Sequence, residues 1–249
     1  MSGKAALVTG GARRIGRAIA LALHAAGYAV AVQANHSAKE ADELCAEIAR
    51  NGGRAAVVRG DLAEQADVAG LVGAAVKAVG PLTLLVNNAA MFEPDAIGSL
   101  DAARFDHQLA VNLRAPLFLS EAFAAQAPEG SAIVNILDQR VFKLTPQFVS
   151  YTLAKSALHA ATRMLAQALA PKVRVNGVAP GPTMASARQE PDDFARQAAA
   201  VPLGHGPTAE EVAAAVVYLA SARSITGATL IVDGGQHLAW QTPDAITRE

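Results

Sequence analysis

Short runs of Val, Ile, Leu and Ala alternate with longer Ala-rich stretches of helical period along the whole chain. The apolar runs predict strands at 5–9, 29–34, 55–59, 82–86, 131–136, 173–178 and 229–232. Helical spacing between them predicts helices near 14–26, 38–50, 64–79, 100–126, 148–170 and 209–222. The strand runs are nearly continuous in apolar residues, as expected where both faces of a sheet are covered. Strands and helices alternating at this spacing predict right-handed βαβ crossovers, hence an α/β fold built on a doubly wound parallel sheet of about seven strands.

No shift of composition divides the chain, so residues 1–249 are expected to form one domain. The stretch 182–207 stands apart. Together with Pro180 just before it, it carries Pro182, Pro191, Pro202 and Pro207 around a helix-prone piece at 192–200. A long connection at the carboxyl edge of a parallel sheet is expected to cover a substrate. In the absence of such a site it reads as a surface loop.

Composition narrows the function classes. The chain is 52% hydrophobic, 17% charged and 4% aromatic, with net charge -1 and no basic run, which argues against nucleic acid as a partner. Its one cysteine, Cys45, allows no internal disulfide and suits a reducing compartment. The apolar run after Lys4 is too short for a secretion signal, and no later stretch is long enough to span a bilayer. A cytoplasmic protein with no membrane partner is expected. His24, His107, His159, His205 and His237 lack metal-ligand spacing, and no metal is expected.

The first strand runs into Thr9-Gly10-Gly11-Ala12-Arg13-Arg14-Ile15-Gly16 and then a helix. Glycine lets a phosphate approach the backbone there, and the free N–H groups of the helix N-terminus bind the charge. The second strand ends Gln33-Ala34-Asn35-His36-Ser37, without the carboxylate that would hold the ribose hydroxyls of NAD. Arg13 and Arg14, with Asn35, His36 and Ser37, suit a 2′-phosphate, so the expected cofactor is NADP(H). Taken singly, either arginine also reads as a solvated charge.

Tyr151 and Lys155 lie four apart at the start of a predicted helix and so share a face. A nearby ammonium stabilises phenolate and lowers a tyrosine pKa toward the range of a general acid or base. A surface Tyr–Lys pair has the same spacing. The position just after the fifth strand, beside the predicted crevice, favours chemistry.

Thr9–Gly16, Asn87-Asn88-Ala89-Ala90, Asn112, Tyr151/Lys155, Pro180-Gly181, and Ile225-Thr226-Gly227 with Val232-Asp233-Gly234-Gly235 resemble, in order and spacing, the short-chain dehydrogenase/reductase family. The resemblance covers essentially the whole chain and implies a Rossmann-type fold, an NADP(H)-dependent oxidoreductase and a homotetramer. Its contacts would be the 100–126 and 148–170 helices and the last strand. It implies that Tyr151 donates the proton and that Lys155 holds the nicotinamide ribose. Asn112 would help hold a relay water, Asn88 and Ala89 would lie along the cofactor, and Asp61-Leu62 would meet the adenine. Pro180 and Gly181 would flank the nicotinamide.

Two departures narrow the resemblance. Arg14 replaces the middle glycine of the turn, and Asp138 stands where the family carries a serine. Both resemble pteridine reductases and bacterial dihydromonapterin reductases, as does Phe92, which in that subgroup stacks on the pterin ring. An ionised carboxylate only accepts hydrogen bonds and repels a developing alkoxide. Asp138 therefore suits a heterocycle with N–H donors, or one needing a proton at a ring nitrogen. Phe92 could stack a flat ring, and Arg14 could reach both pyrophosphate and substrate. Asp138 could instead cap a nearby backbone N–H, and Phe92 could be a core aromatic.

The expected activity is hydride transfer from NADPH to a C=N bond of a dihydropterin or dihydrofolate-like small molecule. Rival readings are a general carbonyl or 3-oxoacyl-thioester reductase, and a cofactor-sensing module without turnover. Met184, Leu203 and Trp240 are candidates for the pocket lining, and Trp240 also for a subunit contact.

Overall fold

A computed structural model describes residues 3–186 and 188–241. Ala187, inside the predicted 182–207 connection, and the two ends of the predicted 1–249 domain lie outside the described residues.

Seven strands form one parallel sheet in the order β3-β2-β1-β4-β5-β6-β7. They are β1 (Ala5–Val8), β2 (Ala29–Ala34), β3 (Ala55–Arg59), β4 (Leu84–Asn87), β5 (Ser131–Ile136), β6 (Val173–Pro180) and β7 (Thr229–Val232). Among the described residues, eight α-helices connect or cover them: α1 (Arg14–Ala25), α2 (Ala38–Arg50), α3 (Gln65–Val79), α4 (Ala102–Leu109), α5 (Ala115–Gln126), α6 (Val149–Leu169), α7 (Pro191–Ala199) and α8 (Ala209–Ser221). No helix among the described residues is long and apolar enough to cross a membrane.

The pleat of each strand feeds two cores. Ala6 and Val8 of β1 pack with α1, α2 and α8, while Ala5 and Leu7 pack with α3 and α5. Burial on both faces explains the unbroken apolar runs. Truncating a side chain such as Leu7, fully buried, to alanine would cost about 2–5 kcal/mol.

Strand order reverses between β1 and β4, which flank each other parallel in register Leu7↔Leu85. Connections leave these neighbours in opposite directions, opening a crevice at their carboxyl ends, where ligands bind in such sheets.

Several boundaries shift from those predicted by a residue or two, and two differences have a clear physical cause. β4 begins at Leu84 and reaches Asn87, although Leu82 is fully buried; an apolar run reports burial, not pairing. The single helix expected over 100–126 is two helices joined by a π-helical turn, Ala110–Arg114. Pro116 has no N–H to give the Asn112 carbonyl four residues back, so the regular ladder cannot run through. The Ala115 N–H instead bonds Ala110, five residues back.

Candidate active site

The turn after β1 is locked to the end of β4. Thr9 Oγ1 accepts from the Asn88 and Ala89 N–H groups at 2.9 and 3.0 Å, and Asn88 Nδ2 returns bonds to the Thr9 and Gly10 carbonyls. Gly16 must be glycine, because a Cβ there would lie 2.2 Å from the Gly10 carbonyl oxygen and 2.6 Å from Asn88 Nδ2. Arg14 has a left-handed backbone of the kind glycine favours, at φ 54°. Such a conformation costs a side-chain-bearing residue about 1 kcal/mol or more.

α1 starts without a side-chain cap and without an acid in its first turn. Its first N–H groups therefore face outward with the positive end of the helix dipole. Gln33 supports the turn from β2: its Oε1 accepts from the Gly10 N–H at 2.8 Å and its Nε2 donates to the Gly60 carbonyl at 2.8 Å. A polar side chain buried in an apolar strand was the signal that could have marked it.

At the end of β2, Asn35 and His36 are exposed and Ser37 starts α2 without capping it. Arg13, also exposed, pairs loosely with Glu40 at 3.5 Å. Asp61 Oδ1 is bound to the Ala63 N–H at 2.8 Å, whereas Leu62 is buried in the core beneath α3.

Tyr151 and Lys155 do share a face of α6, but it is the buried face, at 5% and 1% exposure. The Tyr151 hydroxyl donates to Asp138 Oδ2 at 2.9 Å. Asp138 also caps the short turn Gln139–Val141, its Oδ1 accepting from the Arg140 N–H at 2.8 Å. Asp138 thus accepts from the Tyr151 hydroxyl with one oxygen and caps a backbone N–H with the other. Lys155 Nζ donates to the Ile136 carbonyl at 2.7 Å and lies 5.8 Å from the Tyr151 ring centre.

The electrostatics correct one expectation. Burial, then the charge of Asp138 and its hydrogen bond, push Tyr151 well above the ordinary tyrosine value, and Arg140 opposes them. The net direction is upward, opposite to the lowering expected from Lys155. Burial also raises Asp138, against the Arg140 N–H, the Arg140 charge, the Tyr151 bond and Lys155. Burial lowers Lys155 to about 8, with Asp138 opposing. The phenol is therefore held protonated beside a carboxylate, a state suited to giving a proton rather than taking one.

Phe92 is partly exposed, not a core residue. Its ring stacks on Phe148 at 4.2 Å between centres and 5° between planes, and it meets Tyr151 at 4.7 Å and 77°. The Arg140 guanidinium lies 5.0 Å from the Phe148 centre and 5.8 Å from that of Phe92, which puts it beside the pair rather than beyond either outer face. The backbone around Phe92 is clamped by two side chains. Asn112 accepts from the Met91 N–H at 3.1 Å and donates to the Met91 carbonyl at 2.8 Å; Gln108 Oε1 accepts from the Glu93 N–H at 3.2 Å. The side chain of Asn112 thus positions the loop. Phe148, Arg140 and Gln108 escaped the sequence reading because each acts on residues distant in the chain.

The connection after β6 crosses the same region. Arg14 donates to the Ala185 and Met184 carbonyls at 2.6 and 2.9 Å. Arg188 pairs with Glu93 at 3.0 Å and also donates to the Phe92 carbonyl. The connection is therefore tied to the phosphate turn at one point and to the Phe92 loop at another. Pro180 and Gly181 lie where it leaves β6, and Gly181 packs against Asp233. Met184 is 41% exposed, Leu203 68% and Trp240 63%.

The chain matches a family described as enoyl-(acyl carrier protein) reductase over residues 10–237. FolM alternative dihydrofolate reductase 1 of Brucella suis, solved in complex with NADP, is 51% identical, with a TM-score of 0.94 over 97% of this chain and 98% of that one. A short-chain dehydrogenase of Burkholderia cenocepacia, also solved with NADP, is 35% identical, with a TM-score of 0.88 over 94% and 97% of the two chains. An uncharacterized oxidoreductase of Methylorubrum extorquens is 36% identical over 245 residues, 94% of this chain and 98% of that protein. With the sheet, the crevice and the buried Tyr151–Lys155 pair already in place, the chain belongs to the short-chain dehydrogenase/reductase family of oxidoreductases.

Proposed function

We propose that this oxidoreductase uses NADPH to reduce a C=N bond in a pteridine-type ring, with dihydropterins and dihydrofolate-like compounds as its substrate class. The observation that carries the reading is the 2.9 Å bond from the Tyr151 hydroxyl to Asp138. A carboxylate at that point accepts from ring N–H groups and disfavours an alkoxide. The 51% identity to an alternative dihydrofolate reductase supports the same substrate class.

The residues present fit the cofactor. The uncapped, acid-free start of α1 suits a pyrophosphate, and the acid-free end of β2 with Arg13, Asn35, His36 and Ser37 suits a 2′-phosphate. Gly10, Ile15 and Gly16 would line the pyrophosphate, Asp61 and Leu62 the adenine, and Asn88, Ala89, Pro180 and Gly181 the nicotinamide half. When bound, NADPH supplies the hydride.

The chain supplies the rest. Phe92 stacks the ring, and Asp138 orients it through its N–H edge. Tyr151 holds the proton destined for the ring nitrogen, and Asp138 keeps that proton on the phenol between turnovers. Lys155 anchors the ribose, Asn112 holds the Phe92 loop, and Arg14 ties the 182–207 connection over the site. We assign the exposed Phe118 on α5 and Leu153 and Met164 on α6 to contacts between copies in a cytoplasmic homotetramer. Light scattering giving a monomer would remove that assignment.

The deciding experiment follows NADPH oxidation with dihydrobiopterin, dihydromonapterin, dihydrofolate, quinones and β-ketoacyl thioesters, repeated with NADH. Turnover of the pterins with NADPH is expected. Ready reduction of ketones or thioesters with the pterins untouched would make the protein a general carbonyl or 3-oxoacyl reductase.

A further inference from the structure

The loop after β4 and the entry to α6 are stitched together around Asp95, a carboxylate 8% exposed. Its main-chain carbonyl accepts from the Phe148 N–H at 2.8 Å. Its side chain accepts from the Ser150 N–H, at 3.2 Å for Oδ1 and 3.3 Å for Oδ2, and from the Ser150 hydroxyl. The next residue, Ala96, pairs with Gln147 in an isolated antiparallel bridge.

α6 supplies no cap of its own. Phe148 makes no side-chain cap, and the first turn contains no acid. The Asp95 carboxylate fills that role from 55 residues away, satisfying a first-turn N–H and placing a negative charge at the positive end of the helix dipole. The same contacts hold Phe148 at φ 56°, a left-handed backbone that a bulky residue keeps only where its surroundings enforce it. In that conformation the Phe148 ring lies flat against Phe92, and Tyr151 follows within one turn.

We propose that Asp95 is a positioning residue: by capping α6 from the Phe92 loop, it fixes the Phe92–Phe148 pair against Tyr151 and so sets the wall on which the substrate ring stacks. The proposal takes its substrate from the pterin reading, while its geometry stands apart from that reading. A purely structural cap would hold the helix and leave substrate binding alone.

The test compares purified full-length Asp95→Ala and Asp95→Asn with wild type. It measures NADPH affinity by fluorescence, KM and kcat for dihydrobiopterin, and the crystal structure of the alanine variant. The expected result for alanine is a KM raised about tenfold, with kcat changed less than about threefold and NADPH affinity within about twofold. Asparagine keeps an acceptor oxygen for the Ser150 N–H and recovers most of the loss. In the alanine crystal, Phe148 leaves the left-handed region and the flat contact with Phe92 is lost. A lower melting temperature with wild-type KM overturns the proposal, as does joint loss of KM, kcat and NADPH binding in both variants. Should the alanine protein not fold, Asp95→Glu decides: its displaced carboxylate should raise KM alone, and a wild-type KM overturns the proposal. Should wild type reduce no pterin, the function falls by itself. The Phe148 backbone in the variant crystal and the KM split on whichever carbonyl compound wild type reduces then decide for Asp95.

Discussion

The Tyr151 hydroxyl and Asp138 Oδ2 are joined by one hydrogen bond of 2.9 Å, which makes the charge of each depend on the other. Two anions so close would repel, so the phenol keeps its proton while Asp138 is ionised. Titration belongs to the pair rather than to either residue.

Asp138→Asn should therefore move the alkaline limb of the pH–rate profile to lower pH, because Tyr151 loses its anionic neighbour, the largest influence on it after burial. Pterin reduction should fall by about a hundredfold with the loss of the acceptor. Asp138→Ser, which restores a donor, should gain activity on ketones. A limb that stays put or moves up in the asparagine variant would sever the link between the two groups.

Tyr151→Phe removes the proton source and leaves Lys155 and the phosphate turn in place. The expected result is a fall in kcat of about two to four orders of magnitude with NADPH affinity unchanged. Isothermal titration and single-turnover kinetics separate the two. Full activity in this variant would mean that the phenol is no part of the chemistry.

Much of this was legible in the chain because it is local. The Gly10–Gly16 turn, the Tyr151/Lys155 spacing and the acid-free end of β2 each occupy a few consecutive residues, and the apolar runs reported strands well. What escaped notice is held by contacts far apart in sequence. Asp95 reaches Ser150 across 55 residues, Arg188 reaches Glu93 across 95, and Arg14 reaches Ala185 across 171. Pro116 was a visible sign that the 100–126 helix must break, since it starves Asn112 of a donor. The direction of the tyrosine shift could not be read from spacing, because it depends on burial and on which charge lies nearer the phenol.

Cofactor choice should follow the end of β2. Asn35→Asp places a carboxylate where a ribose hydroxyl would be held and a 2′-phosphate repelled. NADPH should bind about tenfold or more weakly, and the ratio of kcat/KM for NADPH over NADH should fall at least as much. An unchanged ratio would place the 2′-phosphate away from Asn35.

Arg188→Ala cuts the tie from the 182–207 connection to Phe92 and Glu93. KM for a pterin should rise about three- to tenfold, and limited proteolysis should cleave near 184–190 faster than in wild type. Equal proteolysis rates would show that the connection is held by other contacts.

Lys155→Met should stabilise the cofactor-free protein while abolishing activity. Lys155 is 1% exposed, its one hydrogen bond among the described residues goes to the Ile136 carbonyl, and burial lowers its pKa from 10.5 to about 8. That shift corresponds to about 3 kcal/mol against the charged form at neutral pH, offset by roughly 1 kcal/mol for the lost hydrogen bond. A net gain of about 2 kcal/mol, or roughly 5 °C in Tm, is expected at pH 7. The pH dependence gives a sharper check. Below about pH 8 the lysine is charged in both folded and unfolded chains, and the gap between variant and wild type is full. From about 8 to 10.5 the folded wild type has lost the proton that the unfolded chain still binds, so wild-type stability rises with pH and the gap narrows. Calorimetry across that interval should show convergence; a gap that widens, or a variant less stable at pH 7, would mean that the ammonium is compensated within the fold.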